Sequence, residues 1–306
     1  VPGGVYEWQR GRLVWVDRQG NVEVITPEVR AFRYPRVAPD GNRLAFTLEE
    51  ESDDLWLYDL ARGGFTRLTF DARNIAPVWR PGHDEITLSS VGGHDVPAVF
   101  SIAADGSGER RALQPQQAGR PLFPTGWSPD GQTLCYVTTD ASLGFDILTV
   151  GEGGEGPPRP FVATTFDEHM AVFSPDGQWV AYSSDESGRM EVYVIPYPGP
   201  GSKTKVSNEG GGEPVWNPAG GELFYRDGDK MMAVTVRTEG DLTVSRPRLL
   251  FEASFARRTL AWITNYDVSR DGQRFLMIQE APRPDSRRIE IVQNWFAEVD
   301  RILAEK

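Results

Sequence analysis

A chain of 306 residues, 39% of them hydrophobic and 25% charged, can bury one large all-β domain or two ordinary domains, and internal repetition has to decide between these. Its 44 Asp and Glu against 32 Lys and Arg leave a formal charge of −12, which repels a phosphate backbone and excludes nucleic acid as the expected partner. The single cysteine, Cys135, excludes an internal disulfide, and no apolar run approaches the roughly 18 residues of a membrane span.

The opening Val1-Pro-Gly-Gly-Val5 holds no basic segment followed by an apolar stretch, so the chain is expected to be soluble, and its acidic surface favours a monomer. The first structured phrase is a pair of alternating segments, Arg12-Leu-Val-Trp-Val-Asp17 and Val22-Glu-Val-Ile25, which predicts two short strands.

A different phrase then recurs six times: an apolar strand, a Pro-Asp-Gly-like turn and a second apolar strand. The copies are Arg36-Val-Ala-Pro-Asp-Gly-Asn-Arg-Leu-Ala-Phe46, Val78-Trp-Arg-Pro-Gly-His-Asp-Glu-Ile-Thr-Leu88 and Gly126-Trp-Ser-Pro-Asp-Gly-Gln-Thr-Leu-Cys-Tyr136. They continue as Val172-Phe-Ser-Pro-Asp-Gly-Gln-Trp-Val-Ala-Tyr182, Val215-Trp-Asn-Pro-Ala-Gly-Gly-Glu-Leu-Phe-Tyr225 and Asp267-Val-Ser-Arg-Asp-Gly-Gln-Arg-Phe-Leu-Met277. Pro39, Pro81, Pro129, Pro175, Pro218 and Arg270 mark the register, 42, 48, 46, 43 and 52 residues apart. This is the period of a four-stranded propeller blade.

Ser128-Pro-Asp-Gly131 fits a type I turn, with Pro pre-setting φ at its second position and Gly at its fourth. Two residues before each mark stands Val37, Trp79, Trp127, Phe173, Trp216 or Val268. One large apolar side chain per repeat at a fixed phase predicts packing between neighbouring sheets. After each turn come an alternating strand, a loop and another short strand, as in Leu55-Trp-Leu-Tyr-Asp59 leading to Thr66-Arg-Leu-Thr69. The N-terminal pair is such a phrase without its own turn, whereas the sixth repeat has a turn without this phrase. Residues 1–26 are therefore expected to complete the last blade, 27–286 to supply six repeats, and 287–306 to form a C-terminal strand and short helix of the same single domain. In that tail, Arg288-Ile-Glu-Ile-Val292 alternates, and Asn294 precedes Trp295, Phe296, Val299, Ile302 and Leu303 at helical spacing. The fold class read from the sequence is an all-β, six-bladed propeller with four-stranded antiparallel blades.

The Ser-Pro-Asp-Gly strands resemble the WD-repeat-like motif of the TolB propeller and of the propeller parts of prolyl oligopeptidase-type peptidases. A narrower set of segments is similar to the propeller attached to the C-terminal side of many bacterial serine/threonine protein kinases: Leu13-Val-Trp-Val-Asp-Arg-Gln-Gly20, Ser184-Asp-Glu-Ser-Gly188, Glu191-Val-Tyr-Val194 onward to Pro198-Gly-Pro-Gly201, Phe224-Tyr-Arg-Asp-Gly228, Phe275-Leu-Met-Ile278 and Asn294-Trp-Phe296. That resemblance implies a sensory or interaction module, and an extracytoplasmic location.

Motifs for chemistry are sparse. No Gly-x-Ser-x-Gly elbow is present, and Gly151-Glu-Gly-Gly-Glu-Gly156 lacks the Lys-Ser/Thr of a phosphate loop and reads as a flexible loop. Of the three histidines, His83 and His94 fall in turn-like or glycine-rich contexts, whereas His169 lies near the start of an innermost strand. Corresponding stretches of other repeats supply Arg33, Asn74, Glu168, Glu213 and Asn265. Together these six residues form the candidate ligand-binding set at one mouth of the channel. Hard cations take carboxylate and amide oxygens, so Asn74, Glu168, Glu213 and Asn265 are the candidate calcium ligands, and His169 is the candidate catalytic base. Six-bladed calcium-dependent lactonases and phosphotriesterases hold their metal in such a channel. The leading expectation is a binding or sensory propeller for a protein partner or small ligand, and the alternative is a calcium-dependent hydrolase of lactones, esters or phosphotriesters.

Overall fold

The computed structural model describes residues 10–70, 73–91, 98–114, 121–140, 144–238, 241–256 and 262–282. The predicted strand at 288–292 and the helix after Asn294 lie outside these residues. Six antiparallel sheets form the blades of the propeller. Their innermost strands, in chain order, are Phe32–Val37, Arg73–Trp79, Leu122–Trp127, Glu168–Phe173, Gly212–Trp216 and Asp267–Val268. Each begins at what we call the mouth end of the channel and runs to its register turn at the opposite, turn end.

The sixth blade is shared between the chain ends. Asp267–Val268 pairs with Arg274–Glu280, which pairs with the N-terminal Gly11–Asp17, itself edged by Val22–Val24. Closure therefore occurs as the repeat count requires, and it covers the edge that Arg274–Glu280 would otherwise expose, leaving only the short outer strand of each blade at an outer edge. The fifth blade departs from the four-strand pattern. Its long strand Lys230–Arg237 is flanked by Thr243–Val244 at one end and Arg248–Glu252 at the other. This extra piece helps to account for the 52-residue interval.

The core lies between sheets. Each of six apolar clusters joins neighbouring blades, as when Trp127 of the third blade packs with Val78, Val99 and Leu113 of the second. The indole N–H of Trp127 donates to Thr87 Oγ1 at 3.0 Å, and that of Trp216 to the Val172 carbonyl at 3.1 Å, both across a blade boundary. Four register turns stack on the preceding blade, Gly41 against Arg270, Gly131 against Pro81, Gly177 against Pro129 and Gly272 against Asn217. Gly131, at φ 67°, lies where a Cβ would come within 2.6 Å of the Pro81 carbonyl of the preceding blade, so glycine is required for both conformation and space. The run at 151–156 differs from its expectation. Residues Glu152–Gly154 form a 3-10 turn fixed by Gly153 N–H to Gln132 O at 3.0 Å, and Gly154 is pressed against the Trp127 ring. These glycines serve close approach.

Trp127→Ala is expected to cost roughly 3–5 kcal/mol, since it empties an aromatic site between two sheets and leaves Thr87 without its donor. Chemical denaturation measures this, and a loss well under about 1 kcal/mol would place the ring outside the core.

A second test concerns closure. Arg18, in the turn of the N-terminal hairpin, grips Glu222 of the fifth blade through two bonds of 2.8 and 2.6 Å and also donates to the Gly272 carbonyl at 3.1 Å. The Arg18 guanidinium holds the Glu222 carboxyl below its ordinary 4.5, against the opposing effect of burial. The folded value lies below the unfolded one, so this stabilisation is complete above about pH 4.5 and is lost as pH falls through the lower folded value. Glu222→Gln should lower Tm at neutral pH and flatten the fall in Tm between about pH 5 and pH 3. An unchanged acid slope would show that the pair does not couple closure to pH.

Candidate functional site

The channel ends are set by a defect repeated in five of the innermost strands. Pairing with the second strand slips between Arg33 and Arg36, Ile75 and Val78, Pro124 and Gly126, His169 and Val172, and Gly212 and Val215. Within four of these bulges Tyr34, Ala76, Met170 and Glu213 take left-handed φ values of 51° to 60°. A bulge re-aims the side chains beyond it. Residues before it belong to the mouth end, and residues three and two before the register mark belong to the turn end.

At the mouth end, residues 262–266, which lead into the sixth blade, cross the ring as a strap. Ile263 is buried among Tyr34, Ile75, Ala76, Phe123 and Ala171, which come from four other blades. Trp262 stacks on Phe145, with centroids 4.6 Å apart, and lies 5.7 Å from Phe123. Two of the sequence-predicted residues anchor this strap. Glu213 Oε1 accepts the Asn265 N–H at 2.8 Å, and Asn265 Oδ1 accepts the Tyr34 N–H at 2.8 Å. Arg226 lies 3.6 Å from Glu213 Oε2 and donates to the Ala256 and Phe255 carbonyls, while the Tyr266 hydroxyl donates to the Glu213 carbonyl.

The other four expected residues are buried at the same end. Arg33 pairs with Glu49 at 3.0 Å and donates to the Phe32 carbonyl. The Asn74 carbonyl accepts from Thr47 Oγ1. Glu168 takes both the hydroxyl and the N–H of Thr164. Burial raises its carboxyl above the ordinary range, with Asp146 and Glu186 adding to the effect and the Thr164 bonds opposing it. His169 sits edge-on to Phe145 at 6.1 Å. The structure thus joins Glu213 to Asn265 directly and gives Arg33 and Glu168 partners of their own. Among the described residues, no three His, Cys, Asp or Glu side chains are grouped to hold a metal ion. Glu213 and Arg226 border a cavity of about 200 Å3, and Arg33 borders one of about 40 Å3.

The sequence reading missed the turn end. There a cavity of about 190 Å3 occupies the channel axis, and every blade contributes the residue three before its register mark: Arg36, Val78, Gly126, Val172, Val215 and Asp267. Thr264 and Tyr266 of the strap also line it. Three valines and a glycine face one oppositely charged pair. Arg36 donates to the carbonyls of Pro35, Tyr266 and Thr264 at 2.8, 3.3 and 2.9 Å. Asp267 accepts the N–H groups of Val37 and Val268 at 2.7 and 2.8 Å. Burial pushes the Asp267 carboxyl up and Arg36 opposes that shift; burial likewise pulls the Arg36 guanidinium down, against Asp267. The signal was present in the aligned repeats, where this column is small or apolar in four copies and oppositely charged in the two that meet at closure.

This architecture is a TolB-like six-bladed propeller fold. The putative TolB of Agrobacterium tumefaciens superimposes with a TM-score of 0.73 at 20% identity, over 90% of this chain and 99% of that one. An oligogalacturonate lyase from Vibrio parahaemolyticus gives a TM-score of 0.57 at 11% identity, over 92% and 82% of the two chains. The uncharacterized peptidase YuxL of Bacillus subtilis is 26% identical over 212 residues, spanning 53% of this chain and 31% of YuxL, so the chain spans about a third of that relative. The sequence matches no protein-family model. Among the described residues no helix is long and apolar enough to cross a membrane.

Glu213→Ala should cost roughly 3–5 kcal/mol, because it leaves Arg226 buried without its charge partner and frees the strap. Since both Glu213 oxygens face existing partners, added calcium is expected to leave Tm unchanged. A calcium-induced rise that Glu168→Ala and Glu213→Ala both abolish would instead show that these side chains exchange their partners for an ion.

Proposed function

We propose that this chain is a ligand-binding propeller whose binding site is the turn end of the channel. The observation that carries the reading is the cavity on the axis, to which all six blades contribute one side chain. Such a site exists only in the closed ring, and its walls are rigid strands, so binding needs little reordering of the protein. Its lining combines an apolar wall with two partly satisfied charges, the usual make-up of a small-ligand site. The resemblance to kinase-attached propellers supports a sensory use, in which occupancy of the channel is reported to an attached or associated protein. The strap supports this as well, because it contributes to the cavity at one end and spans the mouth surface at the other.

A panel of amino acids, short peptides and sugars, followed by thermal shift, tests the proposal. Ligands that raise Tm should lose their effect in both Val172→Phe and Val215→Phe, which fill the cavity from two blades. Shifts that persist in both variants, or a panel without any shift, would overturn the assignment of the channel.

A further inference from the structure

The turn-end cavity presents two opposite charges side by side, and this restricts what can fill it. Arg36 has five N–H donors and commits three of them to main-chain carbonyls. Each Asp267 oxygen accepts one main-chain N–H, which leaves acceptor capacity on both. Neither group is spent, and the two lie close enough for each to influence the ionisation of the other. Val78 and Val215 flank them on the adjoining blades, and Val172 stands across the ring.

A lone anion on Arg36 would face the Asp267 carboxylate, and a lone cation on Asp267 would face the Arg36 guanidinium, so each meets like charge in a partly desolvated site. A neutral apolar molecule would displace water from both charges without replacing its hydrogen bonds. A molecule carrying both charges on neighbouring atoms meets neither objection. The cavity volume of about 190 Å3 also falls below the roughly 300–1,000 Å3 of sites for drug-sized ligands. We infer that the channel takes a small zwitterion, an aliphatic α-amino acid, with its carboxylate on Arg36, its ammonium on Asp267 and its branched side chain against the three valines. This inference rests on the channel being the binding site, and it adds the substrate class.

Calorimetric titration of the whole chain with L-leucine tests it against two analogues, 4-methylpentanoate, which lacks the ammonium, and 3-methylbutylamine, which lacks the carboxylate. L-leucine should bind at least about tenfold tighter than either, the loss expected when a charged hydrogen-bonding partner is removed. Asp267→Asn should weaken L-leucine by a similar factor while improving 4-methylpentanoate, an inversion that a merely structural role would not produce. If that variant fails to fold, the comparison of the three ligands on the wild-type chain decides the matter, and Val172→Phe, with its melting unchanged, should abolish L-leucine binding. L-leucine binding no tighter than both analogues, or binding that survives Val172→Phe, overturns the inference. A peptide or sugar that binds and is lost in Val172→Phe, with L-leucine inert, overturns the zwitterion alone and leaves the channel as the binding site.

Discussion

Each sheet of the ring has two apolar faces, and only a closed circle gives both of them a neighbour. The clusters that exclude water lie between blades, so no blade brings a core of its own, and the stability of each depends on the next. The decisive contact is the pairing of Gly11–Asp17 with Arg274–Glu280, residue for residue over the full length of both strands. Among the described residues it is the one strand pairing that joins the N-terminal part of the chain to the C-terminal part. Arg18 adds a charged link from the same hairpin to the fifth blade, where it also lies over the Phe224 ring at 5.4 Å.

The strap follows from the same geometry. Six innermost strands cannot all meet on the axis, and the space they leave at the mouth is apolar on the side of Ile75, Phe123 and Ala171. The strap fills this space with Ile263 and brings with it main-chain groups that must be satisfied away from water. Glu213, Asn265, Arg226 and Arg36 meet that requirement. Their polar side chains at the channel are thus explained first by the backbone they hold, and the remaining capacity of Arg36 and Asp267 is what a ligand can use.

Blade number, closure and the packing role of the aromatic column were legible because they depend on period and phase, which the sequence repeats six times. The candidate site was legible only in part. Asn74 and Glu168 stand seven residues before their marks, Arg33 and His169 six, and Glu213 and Asn265 five, so the set mixed three phases of the strand. The bulges break the alternation between these positions and the turn, and nothing in the local composition announces them: Tyr34, Ala76, Met170 and Glu213 are not residues that favour a left-handed backbone. The strap was hidden for another reason. Residues 262–266 carry no repeat signal, and their place across the ring depends on contacts with Tyr34 and Phe145, distant in the chain. The oppositely charged Arg36 and Asp267 stand out in the aligned copies, but the adjoining column of large apolar side chains, four of them aromatic, carries the stronger signal, and that signal is packing.

The shared sixth blade also sets how the molecule bears mechanical load. Ala281 N–H bonds the Arg10 carbonyl at 2.9 Å, and Gly11 faces Glu280, so the first and last described residues lie side by side on the mouth side. A tether pulling on residue 10 against residue 282 peels the two strands apart from Gly11 and Glu280 inward, opening one pair at a time instead of shearing all of them together. Force applied there unzips the ring at its seam, whereas force applied across the blades meets every inter-sheet cluster at once.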